Sequence, residues 1–332
     1  MEGGKSVITY RKANPEDIHP AIVLWRKAWD KFIAPEKASA NPDYDEIARN
    51  SNLTKRYLSG ERVMLIAADG EKIVGAIGVD FSGHYISPPL CVDSDYQRQG
   101  IAYELLSRAI CELKIKGCGV VKVSSSRHAL PFYENFGFAQ TGPEQKLDGH
   151  DVAYIPMEYK PGEIWDILDE NGNKTGRFLE RGRKMAPGDY HLVVYVWKHN
   201  GRGEWLINKR AAGRGTSHDG KWETTSGAAV AGEGNLAAAL REAKEELGLE
   251  LDPNKGTIFH RFTHHIDDGH RDYAEVWVFE HDCPLEGICF QESETSEAMW
   301  AAADKIREMM ASGEFLSEWF YPYFDEMAEK WG

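Results

Sequence analysis

Around Lys160-Pro161-Gly162 the pattern of apolar runs stops and starts again, and that break decides most of what the chain can become. Upstream, short β-rich runs alternate with amphipathic stretches. Downstream, a second set begins in a different order. A chain of 332 residues is long for one hydrophobic core and comfortable for two. The reading is two domains, 1–160 and 161–332. No internal repeat or low-complexity tract is seen, and the two halves differ too much in pattern to be a duplication.

In the first half, Val7–Arg11 reads as a strand. Asn14-Pro15-Glu16-Asp17 opens a helix over Ile18–Phe32, with Ile22, Trp25 and Trp29 at helical spacing. A second helix is expected over Asp43–Leu58. Val63–Ala68 and Ile73–Asp80 form a hairpin turned at Asp69-Gly70. A strand ending at Leu90-Cys91-Val92 leads into a helix over Gly100–Lys116. A strand at Val120–Val123, a short helix at Ala129–Asn135 and a last strand at Ala153–Tyr159 follow.

In the second half, Ile164–Leu168 runs into an Asp169–Gly172 turn, then polar, glycine-rich sequence to Asp189. His191–Trp197, Trp205–Arg210, Ile258–Phe262 and Glu275–Glu280 read as strands. A long helix runs from Asn235 to Leu247 and is closed by Gly248. Helices at Ala302–Ala311 and Leu316–Lys330 end the chain.

Charge and cysteine content narrow the partners. The formal net charge of -14 disfavours a broad surface for duplex nucleic acid or an anionic membrane. No apolar run approaches the roughly 20 residues that cross a bilayer, and residues 1–17 lack the apolar core of a secretory signal. The five cysteines are scattered and odd in number, which fits reduced thiols. A cytoplasmic protein is expected.

The helix at 235–247 carries the most telling chemistry. Glu242, Glu245 and Glu246 stand at i, i+3 and i+4, which puts three carboxylates on one face, with Leu240, Ala243 and Leu247 on the buried side. Such a face repels itself unless a cation joins it, and hard divalent ions prefer oxygen ligands. A solvated acidic face would be the default for three glutamates alone. Here Arg241 is placed to pair with Glu233, and Gly227 and Gly248 flank the run. The whole pattern, Gly227, five residues, Glu233, seven residues, Arg241-Glu242, Glu245-Glu246 and Gly248, resembles the Nudix hydrolases at every defined position. The resemblance covers about Pro161 to the C-terminus. It implies that Glu242, Glu245 and Glu246 hold Mg2+ or Mn2+, that Glu245 takes part in catalysis, and that Gly227, Glu233 and Arg241 are orienting. It implies attack of water on the phosphorus of a small-molecule diphosphate. Glu294 is the candidate for an extra ligand or base, with an exposed loop glutamate as the plain alternative. Asp166–Glu170, Gly188–His191 and Lys221–Glu223 are similar to the branch related to isopentenyl-diphosphate isomerase. That activity uses a cysteine close before the motif, and Lys221–Val230 contains none, so hydrolysis is preferred. Lys209 and Arg210 are candidates for diphosphate contact. His264, His265 and His270 read as loop residues rather than a second metal site.

In the first half, Gln97-Arg98-Gln99-Gly100-Ile101-Ala102 follows a strand and opens a helix. A glycine there lets backbone N–H groups approach an anion, and the helix N-terminus favours negative charge. Alone this is a weak signal. Together with Ala129–Phe138 downstream, it resembles the GNAT acyltransferases over roughly Val7 to Tyr159. The resemblance implies that Val92 and Gln97 to Ala102 cradle acetyl-CoA, and that Tyr133 donates a proton to the departing CoA thiolate. A packed aromatic is the alternative for Tyr133. Ser124-Ser125-Ser126 stand where many relatives have an asparagine. A small amine would be the acceptor, and Asp80, His84 and Glu134 are possible bases. Without a clear base, a non-catalytic CoA-binding module is the competing reading. The implied fold class is α/β and α+β: an N-terminal GNAT fold, a mixed sheet with flanking helices, plus a C-terminal Nudix α/β/α sandwich.

Overall fold

In the computed structural model, residues 7–32, 53–146, 153–213, 215, 218–265 and 270–331 are described. The chain divides into two compact units, Met1–Ile164 and Trp165–Gly332.

Unit one contains strands β1 (Thr9–Lys12), β2 (Arg62–Asp69), β3 (Lys72–Asp80), β4 (Tyr85–Val92), β5 (Val121–Ser125), β6 (Ala139–Gln140), β7 (Gln145–Lys146) and β8 (Ala153–Tyr159). Its helices are α1 (Pro15–Phe32), α2 (Leu53–Leu58), α3 (Ile101–Ile115) and α4 (Leu130–Phe136). Among the described residues, the sheet runs in the order β1-β2-β3-β4-β5-β8-β6, with β7 on β8. Both faces are covered, and the alternation along β2 shows it. Leu65 and Ala67 pack in the core with α3, while Met64 and Ile66 pack with α1 and Tyr57. The expected helix over Asp43–Leu58 is seen at Leu53–Leu58; its earlier part lies outside the described residues.

One pairing positions the site. β4 and β5 are parallel but pair only at Tyr85↔Lys122 and Ile86↔Val123. Beyond Ile86, β4 continues as Ser87-Pro88-Pro89, and neither proline has an N–H to donate. Opposite them, β3 shifts register between Ile77 and Gly78. The two parallel strands therefore part, and the end of β4 feeds directly into the loop before α3.

Unit two pairs β9 (Ile164–Leu168) with β10 (Lys174–Glu180). Its main sheet holds β11 (His191–His199), β12 (Glu204–Arg210), β13 (Trp222–Glu223), β14 (Thr225–Ala228), β15 (Gly256–His265), β16 (Arg271–Glu280) and β17 (Thr295–Ala302). The order among the described residues is β13-β12-β11-β16-β15, with β14 on β11 and β17 on β12. Helices are α5 (Asn235–Leu247), α6 (Ala303–Ser312) and α7 (Phe324–Trp331). Along β11, Val194 and Val196 face the α5 side, while Tyr195 and Trp197 face α6 and α7. This is an α/β/α sandwich.

Several expectations are corrected here. Lys174–Glu180 is a strand, not loop: its outer residues are polar because it pairs only with β9 and is mostly exposed. β17 is a further strand, in a stretch where the sequence assigns no element before the helix expected from Ala302, which begins at Ala303. The last helix starts at Phe324 rather than Leu316. Pro322 disfavours helix in the residue before it, and Leu316 instead donates its N–H to the Trp222 carbonyl at 2.9 Å. His264 and His265 lie on β15, not in a loop.

Candidate functional site

Helix α5 forms because Leu236–Leu247 is almost entirely strong helix formers. It stops at Gly248, whose φ of +69° favours glycine and whose Cβ would stand 2.8 Å from that of Cys289. Glu242 and Glu246 are on its buried side, beside Ala239 and Ala243, at 7% and 4% exposure. Glu245, in contrast, is half exposed. The three carboxylates thus do not share one solvent face; two are sunk toward the sheet and one stands at the rim.

That burial is possible because of Gly227 on β14. A Cβ on this residue would lie inside the Glu242 carboxylate. Arg241 organises the entrance. Its Nε and Nη2 donate to the two Glu233 oxygens at 2.9 and 3.0 Å, and Nη2 also donates to the Ala228 carbonyl at 3.1 Å. Its Nη1 donates to Glu242 and Glu245, each at 2.8 Å. Glu233 in turn accepts from the Val230 N–H at 3.1 Å.

Sequence reading missed the floor of the site. Glu223, buried on β13, accepts from Arg210 Nη1 through both oxygens at 2.9 and 2.8 Å. Asn208 on β12 donates from Nδ2 to Glu246 Oε2 at 3.2 Å. Glu294 is half-buried in the turn before β17, and its charge bears on both Glu242 and Glu246. Burial, with Glu245 and Glu294 adding to it against the pull of Arg241, raises the Glu242 carboxyl to about 7. Burial also raises Glu246, helped by Glu223 and Glu242. Such raised acids are what a carboxylate cluster without a cation must have.

No three acidic, imidazole or thiol side chains among the described residues stand in a ready-made metal cage; Arg241 and Asn208 donate to the oxygens of Glu242 and Glu246. The donor set still fits a hard divalent cation. It is all oxygen, and the charges of Glu294 and Glu223 reach the carboxyls of this helix: Glu294 bears on both Glu242 and Glu246, and Glu223 on Glu246. Gly227 keeps the space that Glu242 needs.

Other candidates disperse. Lys209 Nζ pairs with Glu297 at 2.8 Å, and Arg210 is committed to Glu223. His264 donates from Nε2 to the Trp319 carbonyl at 2.8 Å and stacks on its ring. His265 meets the Tyr190 hydroxyl at 3.3 Å instead.

In unit one, β4 ends at Val92, and a single turn at Ser94–Tyr96 leads to Gln97–Gly100. Arg98 and Gly100 both have positive φ, +63° and +81°. Successive N–H groups in such a loop can converge on an anion. No side chain caps the start of α3, and a Cβ at Gly100 would meet nothing within 4 Å. Gly75 lets the helix seat closely: a Cβ there would meet Ile101 and Leu105 at 3.0 and 3.1 Å. Tyr133 on α4 is buried, packed edge-on against Phe132 and Phe138, and burial pushes its phenol well up, so it stays protonated. Ser126 Oγ accepts from the Ala129 N–H at 3.2 Å. Asp80 is unsuited to be a base. It accepts from Ser82, Gly83, Arg56 and Arg62, and although burial raises its carboxyl, these donors bring it below the ordinary value. Glu134 is exposed, and His84 sits in the β3–β4 turn with φ +53°.

The fold and the two sites define a two-domain protein, an acyltransferase-type unit followed by a Nudix-type unit. Residues 32–161 match the GNAT acetyltransferase domain, and residues 189–320 match the NUDIX domain. A Nudix hydrolase of Listeria monocytogenes is 36% identical over 163 residues, 49% of this chain and 90% of that protein. An isopentenyl-diphosphate Delta-isomerase of Streptomyces avermitilis is 28% identical over 168 residues, 49% of this chain and 82% of its own. Among solved structures, an N-acetyltransferase of Thermoplasma acidophilum in complex with coenzyme A is 22% identical, with a TM-score of 0.38, covering 46% of this chain and 99% of that one. The chain belongs to the Nudix hydrolase family through its C-terminal half and carries a GNAT acetyltransferase domain in its N-terminal half. Among the described residues, no helix is long and apolar enough to cross a membrane.

Proposed function

We propose that the protein is bifunctional, dividing near Lys160: a Mg2+- or Mn2+-dependent hydrolase of a small-molecule diphosphate, and an acetyl-CoA-dependent N-acetyltransferase acting on a small amine. The hydrolase reading rests on one observation above all. Gly227 opens room for the buried Glu242, beside Glu246, while Arg241 is locked onto Glu233. Glu242, Glu245 and Glu246 would hold the cation, with Glu294 as further ligand or base. When bound, the cation would neutralise the diphosphate and make a water nucleophilic. Glu233 keeps Arg241 in place, and Arg241 bridges Glu242 and Glu245 through one nitrogen, offsetting their mutual repulsion. Sequence Trp222–Ala228 holds no cysteine, and Cys289 lies against Gly248 at the far end of α5. This supports hydrolysis over alkene isomerisation. The test is a screen of nucleoside and isoprenoid diphosphates with Mg2+ or Mn2+, measuring released phosphate. No turnover of any of them would sink the reading.

For the first unit, the N–H-rich turn at Gln97–Ala102 would take the CoA pyrophosphate, and Tyr133 would protonate the departing thiolate. A second reading, a CoA-binding module without turnover, is favoured by the full engagement of Asp80. Acetyl-CoA with a panel of amines separates the two: binding without acetyl transfer leaves only the module.

A further inference from the structure

The Nudix sheet buries a lysine on the helix side of a central strand. Lys198 follows Val194 and Val196 on the same face of β11, and its exposure is 0%. Its Nζ donates to Thr225 Oγ1 at 2.7 Å. Thr225 Oγ1 donates to Asn208 Oδ1 at 3.2 Å. Asn208 Nδ2 donates to Glu246 Oε2 at 3.2 Å. Thr225 and Asn208 are also at 0% exposure. Three donors therefore point the same way, from an ammonium to a carboxylate, with no solvent in contact. Burial lowers the lysine from its ordinary value, opposed by the charges of Glu246, Cys283 and Glu223.

Packing does not account for this residue. Its neighbours on the strand face are valines, and an apolar side chain of similar volume commonly stabilises such a position. A polarised chain of hydrogen bonds, in contrast, leaves each member one orientation. Asn208 must present its NH2 to Glu246, because its oxygen accepts from Thr225. Thr225 must aim its hydroxyl at Asn208, because its lone pair accepts from Lys198.

We propose that Lys198 is a positioning residue: through Thr225 and Asn208 it fixes the Glu246 carboxylate in the orientation that receives the divalent cation. The inference rests on Glu246 being a metal ligand. Residues that orient metal ligands through hydrogen bonds typically influence metal affinity by roughly 10- to 100-fold.

The test is Mn2+ binding to the full chain, with free Mn2+ read by electron paramagnetic resonance, beside thermal unfolding. Thr225→Val should weaken Mn2+ binding about tenfold or more, and Thr225→Ser, which keeps the hydroxyl, should restore it. Lys198→Met should weaken Mn2+ binding to a similar extent without lowering the unfolding temperature. If Lys198→Met does not fold, the Thr225 pair decides alone. Unchanged or tighter Mn2+ binding in Thr225→Val or Lys198→Met, with wild type binding normally, overturns the proposal. Wild type that binds no Mn2+ would remove the metal reading itself and the proposal with it.

Discussion

Under the proposed function, two helices of this molecule would each meet a diphosphate, and with opposite charge. The start of α3 offers backbone N–H groups, an uncapped terminus and two residues with positive φ. The face of α5 offers carboxylates. The first can hold an anion directly, through partial positive charge. The second can hold one only with a cation between; its own carboxylates are partnered by Arg241 and Asn208. The contrast teaches that a helix contributes to phosphate chemistry in two ways. Holding the anion needs backbone shape; reacting at it needs buried charge.

The largest test of that contrast is removal of the cation. Chelation, or Glu246→Gln, should lower hydrolysis on the order of a thousandfold, since a bound metal supplies several kcal/mol. CoA binding to the first unit, measured by calorimetry, should not move. Equal loss in both would end the comparison.

Next come two substitutions at about a hundredfold. Gly227→Ala would drive its Cβ into Glu242, and a displacement of about 1 Å costs roughly that factor in rate. Tyr133→Phe should cost roughly a hundredfold in acetyl transfer while CoA affinity and unfolding temperature hold. Retained transfer would assign the ring to packing alone.

Acid should separate the units as well. His191, buried and stacked on Trp165, is lowered by burial from 6.5 to about 4. Its neutral form stabilises the fold above pH 6.5, and that contribution is lost as pH falls from 6.5 through 4. The loss is about 3 kcal/mol. His191→Phe should flatten this part of the unfolding profile for the second unit, read by calorimetry from pH 7 to 4.

The smallest effect is at Gly100. There is space for a side chain, so Gly100→Ala meets only the left-handed backbone cost of roughly 1–2 kcal/mol. CoA affinity should fall by about tenfold, with hydrolysis unchanged. A larger loss would mean that the backbone had rearranged.

Much of both sites was legible because local sequence dictates it. The helix at Asn235–Leu247 and its Gly248 stop follow from propensity and a left-handed cap, and both appear as expected. Gly227 was legible as part of a pattern, but its reason was not, since the Glu242 side chain it admits comes from another element. Asn208, Thr225 and Lys198 escaped notice, and Glu223 was legible only as part of Lys221–Glu223, because they meet only when β11, β12, β13 and β14 pair. One signal was available: Lys198 continues the inward alternation of Val194 and Val196, where a charge is out of place. β10 and β17 were unreadable for a similar reason, as their pairing rather than their composition makes them strands. The parting of β4 from β5 could have been read from Pro88-Pro89.

Arg241 also bears on how a cation would enter the second unit. Its guanidinium already joins Glu233, Glu242 and Glu245. Three carboxylates therefore have a positive partner supplied by the chain itself. Under the proposed function, an entering cation would compete with that guanidinium for Glu242 and Glu245, so binding the ion would also release an arginine beside the diphosphate.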